Sequence, residues 1–480
     1  MTVTLIGVIA FLIGLYGLCR SDTMRLAAFA VSLLFGAAAG IILDNFGGVN
    51  LLLGHIMLGF LVIATLGSPR SLRNGFAALA PGRAGYWLAL ICAYGALSAI
   101  FMPRLFAGAT MVYAVSRGGD ASLGPVVLPL GPVSGNLSQT FYLLSDLVCF
   151  FVCSAATSTR DGFRALAIAM LACAALNVGF GVLDYATFAA GQADALAFMR
   201  NATYRMLDDA EILGYKRIVG SFSEASAFAT VTLTFFAFSA RLAVLGRYVA
   251  FTAPLAVASS LAIVAATSTT GYVGYAVCLI ALFLITAWDA TRRSCSLAGL
   301  TFLLTGPLLI GAIVLALMLQ GSIWDEAVRV ANETIVAKAS SSSGQERGAW
   351  NALALQSFSD TYYLGAGVGS VRSASFLVAI LASVGAPGAL LFAPFLYHVL
   401  GKPIAAAEPD PLRRDIRMAA RFACFALLVA ATLAGVFIDL GLQFFVFASL
   451  CTAVERDEAS AAVPSRTRAL AGFRGEPRYT

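Results

Sequence analysis

Apolar residues run along this chain in blocks close to the length of a bilayer crossing, separated by short charged or glycine-rich stretches. A helix needs roughly 20 apolar residues to cross the hydrocarbon core. Runs near that length predict thirteen spans, over 3–19, 26–43, 51–67, 85–101, 139–156, 165–189, 225–240, 248–268, 271–289, 297–319, 373–399, 422–438 and 440–454. If the last two are one helix broken around Asp439, the count is twelve. The pattern therefore predicts an all-α polytopic membrane domain over 1–454, followed by a polar segment over 455–480 that reads as a disordered cytoplasmic tail.

Composition narrows the class further. Of 480 residues, 60% are hydrophobic and only 12% charged, about half the charged fraction of soluble domains. A cytosolic enzyme, a nucleic-acid binder and a disordered protein are all disfavoured. The net charge of +6 is too weak to imply nucleic acid and is informative by position. Of the 31 Lys and Arg residues, 21 fall on one set of alternate loops and the tail, so that face is expected in the cytoplasm and the amino terminus outside. No basic residue precedes the first apolar run, which is expected to stay as a helix and not to be cleaved. None of the nine cysteines lies in an outer loop, so no disulfide framework is implied. Cys149 and Cys153, one helical turn apart, read as packing.

Three long segments are expected on the outer side, 102–138, 191–224 and 320–372, and loops of that length usually carry function. No inner loop is large enough for a nucleotide-hydrolysing domain, which argues against an ATP-driven transporter. In the third segment Trp350, Leu353, Ala354 and Phe358 share a stripe, predicting a short helix from Arg347 after a flexible Ser340–Gly344. The alternate glycines Gly365, Gly367 and Gly369 either let backbone approach a ligand or make a tight turn before Arg372 opens the next span. In the second segment Ser221 and Glu224 match a capping box for the following span. Glu224 is equally a carboxylate at the membrane boundary, seven residues after Arg217, and available as a base or as a partner for arginine. His55, Asp146, Asp184, His398 and Asp439 are ionisable residues within predicted spans, where such groups are functional candidates by default, although several lie near predicted helix ends, close to water. Asn-x-Ser/Thr triplets occur at Asn136, Asn201 and Asn332.

The segments RIVGSFSEASAFA (217–229), ERGAWNALALQSFSDTYYLGAGVGSVRSASFLVAILASVGAPGALLF (346–392) and GNLSQTFYLL (135–144), set among a dozen spans with large arginine-bearing outer loops, resemble the O-antigen polymerase and O-antigen ligase superfamily, the Wzy-type polymerases in particular. The resemblance implies the fold of C-type glycosyltransferases and an inner-membrane polysaccharide polymerase. Such an enzyme moves a growing undecaprenyl-diphosphate-linked glycan onto a sugar hydroxyl of another lipid-linked repeat unit at the periplasmic face. The reaction is expected to be inverting and independent of a metal or other cofactor. Partners would be the lipid-linked oligosaccharide, membrane lipids, and a chain-length regulator and flippase of the same pathway. An arginine fork can hold a diphosphate and stabilise the charge it acquires on leaving. Arg217 and Arg347 occupy family-like positions and Arg372 is a third candidate. Glu224 is the first choice of base for the acceptor hydroxyl, with Glu346 and Asp360 behind it. Gly365, Gly367 and Gly369 would line the substrate site.

The ligases of that superfamily use an outer-loop histidine, whereas His55 and His398 fall in predicted spans 3 and 11, which favours polymerase over ligase. Segments 191–224 and 320–372 each hold four basic and five acidic residues, so diphosphate capture would depend on local clustering and not on a general positive field. A lipid-linked oligosaccharide flippase or other secondary transporter is the rival from a different class, and would call for more charge along the spans. A protease or acyltransferase would need a serine and histidine constellation that this chain does not offer.

Overall fold

The computed structural model of the chain describes residues 2–43, 49–115, 125–203, 206–207, 211–212, 214–292, 295–337, 340–404, 408 and 410–454. The predicted tail 455–480 and part of the first long loop lie outside the described residues. In chain order, the described elements are β1 (Thr2–Val3), α1 (Leu5–Leu18), α2 (Asp22–Ser32), β2 (Ala39–Leu43), β3 (Val49–Leu52), α3 (Leu53–Leu66), α4 (Pro69–Ala78) and α5 (Ala84–Leu105). They continue with β4 (Met111–Val115), β5 (Pro125–Pro129), α6 (Ser134–Thr157), α7 (Arg160–Ala189), a 3₁₀ helix over Ala193–Met199, β6 (Glu211–Ile212), β7 (Tyr215–Lys216), α8 (Ala225–Val244) and α9 (Val249–Ala265). The remainder is α10 (Thr269–Thr291), α11 (Leu297–Leu319), α12 (Gly321–Ala331), α13 (Ser342–Asp360), α14 (Phe376–Leu396), α15 (Pro411–Ala434) and α16 (Leu442–Thr452).

The architecture is all-α and membrane-embedded in character. Among the described residues eight helices, and not the twelve or thirteen expected, are each long and apolar enough to cross a bilayer: α5, α6, α7, α8, α10, α11, α14 with the π turn that extends it, and α15. The pair α3 and α4 would make a ninth if counted as one span, but it is bent by 111° at the break. The apolar helices α1, α9 and α16 are shorter. Two expectations are corrected here. The run 26–43 is not a span: α2 stops at Ser32 and the chain turns into β2, which pairs antiparallel with β1 and β3. Gly7 lets α1 lie close against β2, because a side chain there would strike the Gly40 carbonyl. The runs 422–438 and 440–454 are two helices, but the first begins at Pro411, where Asp410 caps it by accepting from the amides of Leu412 and Arg413. Its arginines ride on the helix, and do not precede it as the charge break had implied.

Burial sorts the helices. From Thr232 to Val244 every residue of α8 is buried, and α8 packs against α9, α10 and α15 as the central strut. At the other extreme only Gly299 of α11 is buried, and most of its leucines and isoleucines are exposed, as on a lipid-facing helix.

Candidate functional site

The second long loop returns to the membrane through the β6–β7 hairpin, whose last residue, Lys216, is buried. Arg217 follows it directly. Glu224 then stands at the N-cap of α8 in extended backbone (φ −157°, ψ 158°) but makes no side-chain capping bond. The expected capping box is therefore corrected: Ser221 Oγ donates to the carbonyl of Leu34 at 2.5 Å, Ser226 Oγ donates to Glu224 Oε1, and the helix starts one residue after the glutamate. The Glu224 carboxylate is held by one neighbouring hydroxyl and is not consumed in starting the helix.

The third long loop supplies α13, which begins at Ser342 and not at Arg347. Ser341 accepts from the Gly344 amide at 3.2 Å, so most of the serine stretch expected to be flexible is the cap and first turn of the helix. Glu346 and Arg347 lie on its first turns, and the predicted stripe is present, with Trp350 and Ala354 buried. The Arg372 guanidinium lies over the Trp350 ring, 4.4 Å from its centroid, a cation–π contact. The Arg372 amide donates to the Tyr113 carbonyl of β4 at 3.0 Å, and the Ala374 amide donates to Asn351 Oδ1 of α13 at 2.8 Å. Segment 371–375 thus straps a hairpin to a helix.

Behind the strap the three glycines do internal work. All have positive φ, at +84°, +94° and +80° for Gly365, Gly367 and Gly369. A side chain on Gly365 would meet the Gly385 nitrogen at 2.5 Å, one on Gly367 the Ser98 carbonyl at 2.7 Å, and one on Gly369 the Gly135 carbonyl at 2.2 Å. They let backbone approach backbone, so the space expected for a ligand is filled by the protein itself. The amides of Ala366 and Gly367 donate to the carbonyls of Ala382 and Ser383 at 2.8 and 2.9 Å, where α14 is interrupted at Gly385 (φ 65°, ψ −170°). This satisfies non-helical backbone within an apolar helix. Asn136, expected only as a sequence triplet, donates to the Val368 carbonyl at 2.7 Å and to Ser370 Oγ at 2.8 Å. The GNLSQ segment is thereby locked onto the GAGVGS segment.

These supports bring Arg217, Arg347, Arg372, Glu224 and Glu346 into one electrostatic cluster, with Tyr272 from the first turns of α10 beside Arg217. Burial pulls the Arg217 guanidinium below its ordinary value; Glu224 and Tyr272 oppose that shift and Arg347 adds to it. Burial likewise lowers Arg372, with Glu346 and Glu224 opposing and Arg347 again adding to it. Both stay cationic, since a guanidinium does not lose its proton in proteins. Three guanidinium groups thus stand against two carboxylates. The Nε–H groups of Arg217 and Arg372 are buried without a hydrogen-bond partner, and such donors call for an acceptor. Arranged this way, the cluster can bind an anion with several oxygens while keeping a carboxylate at its edge.

Asp360 does not join it. It ends α13, fourteen residues and about 20 Å along the axis from Glu346. Of the ionisable residues expected in spans, His55, Asp146 and Asp439 gather elsewhere, around α3 and α6, and Asp184 is buried beneath the second loop. Sequence reasoning missed Tyr272 altogether, and no spacing signal pointed to it. Among the described residues no group of three or more His, Cys, Asp or Glu is placed to hold a metal ion.

No family model, no curated protein and no solved structure matches this chain.

Proposed function

We propose that this chain is a membrane glycosyltransferase, a polysaccharide repeat-unit polymerase that acts on undecaprenyl-diphosphate-linked glycans. The observation that carries the proposal is that Arg217 and Arg372 both interact with Glu224 and with Arg347, and that each has a buried guanidinium N–H group lacking a protein acceptor. A diphosphate fits that demand: its oxygens accept charge-assisted hydrogen bonds and its charge balances the excess of arginine. Glu224 takes the proton of the acceptor sugar hydroxyl as that oxygen attacks the anomeric carbon. The bond to the diphosphate breaks on the opposite face, with inversion, and the arginines stabilise the departing undecaprenyl diphosphate. The same arginines that hold the ground-state diphosphate gain most as it takes up charge, which is what lowers the barrier.

Two further features support an outer-face site in a bacterial inner membrane. Glu224 and Tyr272 lie at the ends of α8 and α10 opposite Arg241 and Arg292, and the arginine-rich ends belong in the cytoplasm. The long loops that build the site then face the periplasm, where the lipid-linked repeat units are used. The test is genetic. A strain lacking the gene is complemented with wild type or Arg347→Ala at matched membrane abundance, and its lipid-linked glycans are separated by size. Single repeat units accumulating on the outer leaflet in the deletion and the variant support the polymerase. Units trapped on the inner leaflet indicate a flippase, and long chains left on undecaprenyl carrier indicate a ligase; either outcome overturns the proposal.

A further inference from the structure

Asp184, near the end of α7, is 2% exposed and does not touch the arginine cluster, yet it organises the backbone that carries it. Its Oδ1 accepts from Arg200 Nη2 at 2.6 Å and lies 3.9 Å from Lys216 Nζ. Its Oδ2 accepts from the amides of Val219 at 2.8 Å and Gly220 at 3.2 Å. Arg200 closes the ring by donating from Nε to the Gly220 carbonyl at 3.1 Å. Arg200 and Lys216 are each 7% exposed, and Lys216 also lies over the Phe188 ring, one turn beyond Asp184 on α7. Arg217 therefore sits between two fixed points, Lys216 before it and Val219–Gly220 after it. The turn beyond is tight: Gly220 has φ +55°, and a side chain there would meet the Phe228 ring at 2.9 Å.

We infer that Asp184 is a positioning residue for the anion site, a buried carboxylate whose bonds to Arg200, Lys216 and the 219–220 amides fix the chain on both sides of Arg217. The inference rests on the anion-binding role proposed above for the cluster. A carboxylate buried with cationic partners is costly to remove from one side, because the charges left behind lose their counter-ion. Here that cost falls on the short segment between the hairpin and α8, and a small misplacement of a substrate-holding group costs as much as about 100-fold in rate. Asp184→Asn keeps the shape and an amide acceptor but removes the charge. Asp184→Glu keeps the charge with a longer reach.

The test uses full-length protein in detergent and two readouts. The first is hydrogen exchange at the amides of Val219 and Gly220. Asp184→Asn is expected to speed their exchange at least tenfold while exchange in α13 stays as in wild type, and equal protection in wild type and variant overturns the inference. The second is affinity for a short polyprenyl diphosphate, for wild type, Asp184→Ala, Arg217→Ala and the double variant. Asp184→Ala is expected to weaken binding about tenfold or more, Asp184→Glu to restore part of it, and the double variant to bind within about twofold of Arg217→Ala alone, because the two act through one group. Equal weakening by Asp184→Ala in both backgrounds, or a lowered unfolding temperature with unchanged affinity, shows a merely structural residue and overturns it. If Asp184→Ala does not fold, Asp184→Asn takes its place in the cycle. If Arg217→Ala, Arg347→Ala and Arg372→Ala all bind like wild type, the anion-site reading fails, and the exchange readout still decides what Asp184 holds.

Discussion

At the scale of single residues, Glu224 shows how a position can serve the fold without using its side chain. Its backbone begins α8, with its carbonyl accepting from the Phe228 amide at 3.2 Å, while its carboxylate is left to Ser226 and the arginines. Glu224→Gln should therefore fold like wild type, keep its unfolding temperature, and lose about 10²–10⁴-fold in turnover; wild-type chain lengths from that variant would refute the base. Arg372 is held differently, its guanidinium over the Trp350 ring with Nε unpaired. Arg372→Lys keeps the charge but not the planar fork, so binding of a polyprenyl diphosphate should fall for this variant nearly as far as for Arg372→Ala. Restoration of wild-type affinity by lysine would show that charge alone suffices. The three arginines and both glutamates were legible in the sequence because they sit in motif-like segments, though they are up to 155 positions apart. Asp360 lies at the far end of α13, so the helix itself separates it from Glu346 by about 20 Å along its axis. Tyr272 was not legible, since only the packing of α10 beside the second loop brings it near.

At the scale of elements, one long helix, α14, is interrupted by non-helical backbone at Gly385, and the glycine-bearing GAGVGS segment packs against that break. Gly369→Ala would force a side chain into the Gly135 carbonyl at 2.2 Å and into φ +80°. It is expected to cost about 2–4 kcal/mol, seen as a lowered unfolding midpoint in detergent. Gly311→Ala, in α11 with nothing within 4 Å of the added carbon, should be neutral or stabilising by up to about 1 kcal/mol. Equal effects at the two positions would contradict the close backbone packing assigned to the GAGVGS segment. The sequence showed that these glycines matter but not for what, because the same pattern serves a ligand or another stretch of backbone. Most helices were visible from their apolar runs. The run 26–43 misled because Ile41, Ile42 and Leu43 are as apolar in a strand as in a helix, and only the pairing of Thr2 with Ile42 decides between them. Asp410 is the reverse case, a helix start hidden by the arginines behind it. Asp410→Ala should cost about 1 kcal/mol through the lost cap, measurable by the same unfolding assay.

At the scale of the whole molecule, a buried strut, α8, carries at its amino-terminal end the candidate site built by the second and third long loops. The proposed sidedness rests on the charge distribution and is open to direct labelling. Cys19 is the exposed native cysteine, the others being buried or intermediate. In a Cys19→Ser background, a cysteine at Gln345, exposed on α13, should react with a membrane-impermeant maleimide from the periplasmic side of intact cells. A cysteine at Arg292 should react only after the membrane is opened, and the opposite pattern would invert the topology. The proposed glycan transfer is tested most directly with purified protein and one lipid-linked repeat unit. Wild type should lengthen the glycan and release one undecaprenyl diphosphate for each unit joined, and Arg347→Ala should bind weakly and lower both by about 10²–10³-fold. Lengthening by Arg347→Ala at the wild-type rate, or no lengthening by active-fold wild type, would contradict the assignment of the arginine cluster to glycan transfer.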